Sequence, residues 1–139
     1  MITLKRIESF CASHRLFNPN WSDEKNFSVY GKCAHVHGHG HNYKLEVCVT
    51  GEIDKVTGMV FNLQLLKDII KNQILVDVDH KHLNFDVPWL EGKVPTTEVL
   101  VDSIWDRLNE YFLTLNTDVK ISSVTVWETE KNIVTKSIS

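Results

Sequence analysis

The sequence predicts an α+β fold: a four-stranded antiparallel sheet with two helices on one face. Three observations carry that expectation. Segments of two-residue apolar alternation lie toward both ends of the chain, two segments of helical periodicity lie between them, and turn-forming residues separate the segments. At 139 residues the chain fits one domain spanning 1–139, with no linker, repeat or low-complexity segment.

Each element follows from its own pattern. Over 2–17, Phe10, Ala12, His14 and Leu16 fall on one face of a strand, with Ser9, Cys11, Ser13 and Arg15 on the other. The polar stretch 18–32, with Pro19, Asn20, Ser22 and Asp23, reads as a loop. A second strand starts near His39, with Tyr43, Leu45, Val47 and Val49 on its apolar face. Residues 51–58 form a turn that leads into Met59-Val60-Phe61.

Asn62 then caps a helix with Leu63, Leu66, Ile69, Ile70 and Ile74 at helical spacing. An irregular stretch, 79–93, precedes a second helix that starts at Thr96 or Thr97 after Pro95. Its apolar stripe is Leu100, Ile104, Leu108, Tyr111, Phe112 and Leu115. Strands over 119–129 and 132–138 complete the set. The first changes phase at Ser122-Ser123, as a β-bulge would make it do. Such a sheet has open edges, and edge-to-edge association of subunits is the simplest way to cover them.

A composition of 42% hydrophobic and 24% charged residues suits a soluble globular protein and argues against a disordered one. The net charge of -3 gives no general attraction to nucleic acid or to an anionic membrane, so neither is expected as a partner. Three cysteines, Cys11, Cys33 and Cys48, are an odd count and read as free thiols of a reducing compartment. No apolar run suggests a signal peptide or a membrane span, and a cytoplasmic location is expected.

The seven histidines are concentrated in two short stretches. In Cys33-Ala34-His35-Val36-His37-Gly38-His39-Gly40-His41, a strand opening near His39 points His39 and His41 to one face. Their Cα atoms would stand about 6.6 Å apart, close enough for both imidazoles to reach one ion. Gly38 and Gly40 remove side chains that would crowd it. His14, on the apolar face of the first strand, is the natural third ligand. Three imidazoles with one open position match a catalytic zinc site. Spacing alone leaves His35, His37, His39 and His41 all eligible.

Three further features carry chemistry. Cys33 sits in a loop beside Lys32 and the histidines, where a thiolate is favoured, and is a candidate base or nucleophile. Asp79-His80-Lys81-His82 places a carboxylate beside an imidazole, an arrangement that fixes the tautomer and raises basicity. Glu128 shares parity with Val124 and Val126, so it falls on the apolar side of its strand and needs a partner. The N–H groups of a heterocycle would serve.

These residues resemble the 6-pyruvoyl tetrahydropterin synthase family of the tunnelling fold. The likeness is carried in order by Ala12-Ser13-His14-Arg15-Leu16, Ser22-Asp23-Glu24, Tyr30-Gly31-Lys32-Cys33, Gly38-His39-Gly40-His41-Asn42-Tyr43, Gly51-Glu52-Ile53-Asp54, Thr57-Gly58-Met59-Val60, Asp79-His80-Lys81, Thr96-Thr97-Glu98 and Glu128-Thr129. The resemblance implies zinc, one ion per subunit, on His14, His39 and His41, and catalysis by Cys33 with Asp79 and His80. It implies pterin anchoring by Glu128, with Thr96 and Thr97 near the ring. It further implies a single catalytic domain that assembles into a barrel and a homohexamer, a dimer of trimers with active sites between subunits.

The implied reaction converts 7,8-dihydroneopterin triphosphate to 6-pyruvoyl-tetrahydropterin with loss of triphosphate. Magnesium is a candidate companion of that triphosphate, and Arg15 and Lys32 are candidate cations for it. A sister branch, 6-carboxytetrahydropterin synthase, has Cys-x3-His-Gly-His where this branch has Cys-x5-His-Gly-His. The chain contains both, Cys33 to His37-Gly38-His39 and Cys33 to His39-Gly40-His41. Asn42-Tyr43-Lys44 and the stretch from Ser22 to Cys33 favour the longer spacing.

Overall fold

The computed structural model describes residues 1–138. Strand β1 (Ile2–His14) runs antiparallel to β2 (His39–Gly51) in one unbroken ladder, from Ile2 opposite Gly51 to His14 opposite His39. A two-residue strand β3 (Lys81–His82) lies parallel to Ala12 and Ser13 on the other side of β1. Strand β4 (Lys120–Trp127) pairs with β2, and β5 (Ile133–Ser137) pairs with β4, both antiparallel. The order is β3-β1-β2-β4-β5. The sheet is therefore five-stranded and mixed, not four-stranded and antiparallel. Strand β3 is too short to show any alternation. It is fixed by backbone bonds from His80 N to the Cys11 carbonyl (2.6 Å) and from Leu83 N to the Ser13 carbonyl (2.8 Å).

The expected bulge is present in β4. Cys48 faces Ser123 and Val49 faces Ile121, which leaves Ser122 as the extra residue. The phase change lets Ile121, Val124 and Val126 all bury on the same side.

Two helices cover the apolar face, as expected. Helix α2 (Leu63–Ile70) is capped by Asn62, whose Oδ1 accepts from the amides of Gln64 (2.9 Å) and Leu65 (3.2 Å). It continues through a π turn (Lys71–Leu75) into Val76–Val78. Leu66, Ile70, Ile74 and Val78 are all buried at four-residue spacing. An α-helix carries such a repeat round its surface by about 40° per step, and the wider π turn takes up that drift. Helix α3 (Thr97–Phe112) buries Leu100, Ile104, Leu108 and Phe112 against the sheet. Leu63, at the exposed start of α2, is the one residue of the expected stripes that does not pack inward.

One helix was not expected. Within the predicted loop, Ser22 caps α1 (Asp23–Tyr30) by accepting from the Lys25 amide (3.1 Å), and Gly31 ends it at φ 59°. Asp23 and Glu24 lie in the first turn, where carboxylates favour the helix dipole. Its inward contact is polar: Asn26, 2% exposed, accepts from Asn18 N (2.7 Å) and donates to the Asn18 carbonyl (2.9 Å). An amide clamp leaves no apolar periodicity to read. Among the described residues no helix is long and apolar enough to cross a membrane.

Candidate metal centre

The β1–β2 register assembles the site. His14 lies opposite His39, and Ala12 lies opposite His41. Partners across an antiparallel ladder share a face, and so do His39 and His41 by parity. This is also the face of Phe10 and Tyr43, so three imidazoles stand at the end of the apolar core. Their ligand atoms lie within 4.8 Å of one another, and the Nε2 atoms of His14 and His39 are 3.1 Å apart. Gly38 makes this ladder end possible. It sits at φ +71°, and a Cβ there would come within 2.7 Å of the His14 carbonyl oxygen. A Cβ on Gly40 would meet only ordinary contact at 3.5 Å, from the Ala12 carbonyl. Close backbone approach at Gly38, not relief of crowding around an ion, explains the first glycine.

His14 is 0% exposed and its Nδ1–H donates to the Pro95 carbonyl at 2.8 Å. That bond fixes the tautomer with the Nε2 lone pair facing His39 and His41. Burial pushes the His14 imidazole below its ordinary pKa, against a smaller opposing effect of the Pro95 bond. Burial likewise lowers His41, partly offset by the nearby Glu128 carboxylate. Neutral imidazoles are the form that binds metal.

Two observations test whether an ion fits. His41 Nε2 is the one buried side-chain polar atom without a hydrogen-bond partner among the described residues. Glu128 places Oε2 3.9 Å from His14 Nε2 and Oε1 3.9 Å from His41 Nε2, a carboxylate facing two imidazole nitrogens. A cation among these groups relieves both. Ligand nitrogens on one tetrahedral zinc stand about 3.4 Å apart, which the 3.1 Å separation approaches. The cluster is consistent with a metal site.

Glu128 follows β4 on the inward side, as its parity predicts, and its side chain is 20% exposed. Thr97 Oγ1, buried, donates to Glu128 Oε2 at 2.8 Å. Thr96 caps α3 by accepting from the Val99 amide at 3.2 Å. Residues 95–97 thus touch both His14 and the glutamate.

Cys33 lies half-buried in a 3-10 turn (Gly31–Ala34), outside the ligand cluster. Its carbonyl accepts from Leu16 N at 2.9 Å, two residues beyond His14, so it sits at the triad's end of β1. Arg15 Nε donates to the Ala34 carbonyl (2.8 Å), and its guanidinium lies 4.0 Å over the Phe17 ring. His35 and His37 are exposed and outside the cluster.

Asp79 and His80 are not beside the triad. Asp79 Oδ1 accepts from Cys11 N (2.9 Å) and pairs with His80 Nδ1 (3.0 Å), and the side chains are 41% and 81% exposed. Cys11 is three residues, about 10 Å along a strand, from His14. The Cys11 amide, and then His80, hold the Asp79 carboxyl below its ordinary range. His80 adopts φ 62°, a left-handed conformation rare for a non-glycine residue. Sequence reasoning missed Pro95, whose role runs through a carbonyl. It also missed Tyr43 as a neighbour of the site, its buried phenol 3.4 Å from His14 Nδ1.

Two outcomes follow from this geometry. Replacing His39 by alanine should lower zinc content, measured after dialysis, from about one ion per chain to near none, whereas His37→Ala should leave it unchanged. Metal-free protein should also lose stability on acidification. His14 and His41 titrate below the ordinary 6.5 when folded, so below that pH the unfolded chain binds more protons. The contribution is complete above pH 6.5 and is lost as pH falls, so the urea midpoint should drop between pH 7.5 and 5.5. A flat midpoint would contradict this.

The chain is similar to known proteins along nearly its whole length. The sequence pattern of the family described as 6-pyruvoyl tetrahydropterin synthase matches residues 3–137. The chain is 48% identical over 132 residues to a 6-pyruvoyl tetrahydrobiopterin synthase of Poecilia reticulata, covering 94% of this chain and 86% of the relative. It is also 48% identical over 126 residues to the Homo sapiens protein of that name, covering 91% and 84%. The solved structure of Caenorhabditis elegans 6-pyruvoyl tetrahydropterin synthase superimposes with a TM-score of 0.89 at 38% identity, over 99% of this chain and 96% of that one. With the histidine triad on paired strands and the match running nearly end to end, the chain belongs to the 6-pyruvoyl tetrahydropterin synthase family.

Proposed function

We propose that this protein is a zinc-dependent lyase of a single catalytic domain, converting 7,8-dihydroneopterin triphosphate to 6-pyruvoyl-tetrahydropterin and triphosphate in the cytoplasm, on the path to tetrahydrobiopterin. The observation that carries the reading is the three-histidine cluster, with His14 buried and His39 and His41 half-buried, faced by Glu128. The reaction needs no external oxidant. Elimination of triphosphate turns one side-chain carbinol into a ketone. Transfer of two hydrogens from the other carbinol to the ring imine makes the second carbonyl and the tetrahydro ring.

His14, His39 and His41 would hold the zinc, three neutral donors that leave its positive charge intact. Bound there, the ion would supply Lewis acidity toward side-chain oxygens, making adjacent C–H bonds more acidic. Glu128, as an acceptor-only carboxylate, receives N–H groups of the pterin and fixes which end of the substrate meets the histidines. Thr96 and Thr97 lie beside the same ring. Cys33, tied to the chain just beyond His14, removes and returns a side-chain proton as its thiolate.

Asp79 accepts the proton of His80 Nδ1, leaving His80 Nε2 free to take a proton. The exposure of that pair, on the backbone of Cys11 and away from the triad, supports a site completed by a neighbouring subunit. A homohexamer built as a dimer of trimers, its sheets closed into barrels, would bring the two together. It would also cover the outer edge of β5. The triphosphate, with or without magnesium, would meet Lys32 and Arg15. Arg15 is already engaged through Nε, which makes Lys32 the freer of the two.

The longer cysteine spacing is favoured because His39 and His41 are in the cluster and His37 is not. Mass spectrometry of products from zinc-loaded protein and 7,8-dihydroneopterin triphosphate should find the pyruvoyl compound. A carboxytetrahydropterin with acetaldehyde would place the chain in the sister branch instead. In the same assay Cys33→Ala should lower turnover at least about 100-fold, as loss of a general base does, with zinc content unchanged. Normal turnover by that variant would remove Cys33 from the mechanism.

A further inference from the structure

We propose that Thr97 is a positioning residue that acts through Glu128, holding one carboxylate oxygen so that the other is presented to the pterin. This rests on the pterin reading above and refines it. Thr97 opens helix α3, is buried, and donates its hydroxyl proton to Glu128 Oε2 at 2.8 Å. A hydroxyl carries one proton, and an ionised carboxylate can only accept. With that proton committed, Thr97 has no donor left for a ligand. Thr96 differs: its Oγ1 accepts from the Val99 amide, so its own proton is free. The two adjacent threonines therefore divide the work, one available to the ring and the other bound to the anchor.

Glu128 needs such a tether. Its backbone is fixed where Glu128 N donates to the Asn132 carbonyl at 3.0 Å, but three side-chain torsions remain. His14 Nε2 and His41 Nε2 stand only 3.9 Å from its two oxygens, so any cation held by the triad pulls the carboxylate toward itself. The Thr97 hydroxyl, on the first residue of a sixteen-residue helix, holds Oε2 against that pull. Without it the carboxylate is free to close the remaining 3.9 Å to the histidines and to leave a heterocycle unheld.

The test is a double-mutant cycle on zinc-loaded protein, read by fluorescence titration with biopterin and by kcat/KM for dihydroneopterin triphosphate. Thr97→Val should weaken both by about ten-fold or more, the effect of losing a hydrogen bond to a charged group. Zinc content should be unchanged. Thr97→Ser, which keeps the hydroxyl, should stay within about two-fold of wild type. In an Glu128→Ala background, Thr97→Val should add almost nothing, because its route is already removed.

Independent, multiplying effects of the two substitutions would overturn the proposal, as would a Ser variant no better than Val. Thr97→Ser keeps the test valid should the valine variant fold poorly. A wild-type protein that neither binds biopterin nor turns over the substrate overturns the pterin reading and this inference with it. An active wild type with an equally active Thr97→Val variant overturns the positioning role alone.

Discussion

The bond from His14 Nδ1 to the Pro95 carbonyl is the constraint on which the site depends. A fully buried imidazole must satisfy its N–H within the protein, and Pro95 is what satisfies it. The consequence is directional. With the proton on Nδ1, the lone pair on Nε2 faces the two histidines that β2 presents from the other side of the ladder. One backbone carbonyl thereby decides the tautomer of a residue 81 positions earlier in the chain.

The three residues 95–97 extend that control. Pro95 holds His14, Thr96 caps the helix, and Thr97 holds Glu128. Helix α3 is anchored by a row of fully buried side chains, Leu100, Ile104 and Leu108, so its N-terminus is a fixed point relative to the sheet. Proposed metal ligand and proposed substrate anchor are thus referenced to the same rigid element. Catalysis that relies on a fixed distance between a ring and a metal needs such a common reference. The Asp79–His80 pair is referenced elsewhere, to the backbone of Cys11 in β1, and this separation within one chain is the ground for the proposed completion of the site by a neighbouring subunit.

Much of this was legible in the sequence because it follows from periodicity. The apolar alternation of β2, the caps of the two core helices and their stripes apart from Leu63, the bulge at Ser122 and the inward parity of Glu128 stand as the pattern implied. What was not legible has no periodic signature. Helix α1 is clamped by the amide of Asn26, and β3 is two residues long and defined by main-chain bonds. The Pro95 contact is made by a carbonyl, which every residue has. Choosing His39 and His41 over His35 and His37 needed either the family resemblance or the register, since all four alternate. The structure supplies the register directly, through His14 opposite His39.

X-ray absorption at the zinc edge of the loaded protein reads the ligand set of the bound ion. Three imidazoles in this arrangement, with Cys33 outside the cluster, predict a first shell of nitrogen and oxygen only, at about 2.0–2.1 Å, with the outer scattering of about three histidine rings. A sulfur neighbour at about 2.3 Å would make Cys33 a ligand and contradict both the site and the proton-transfer role built on it.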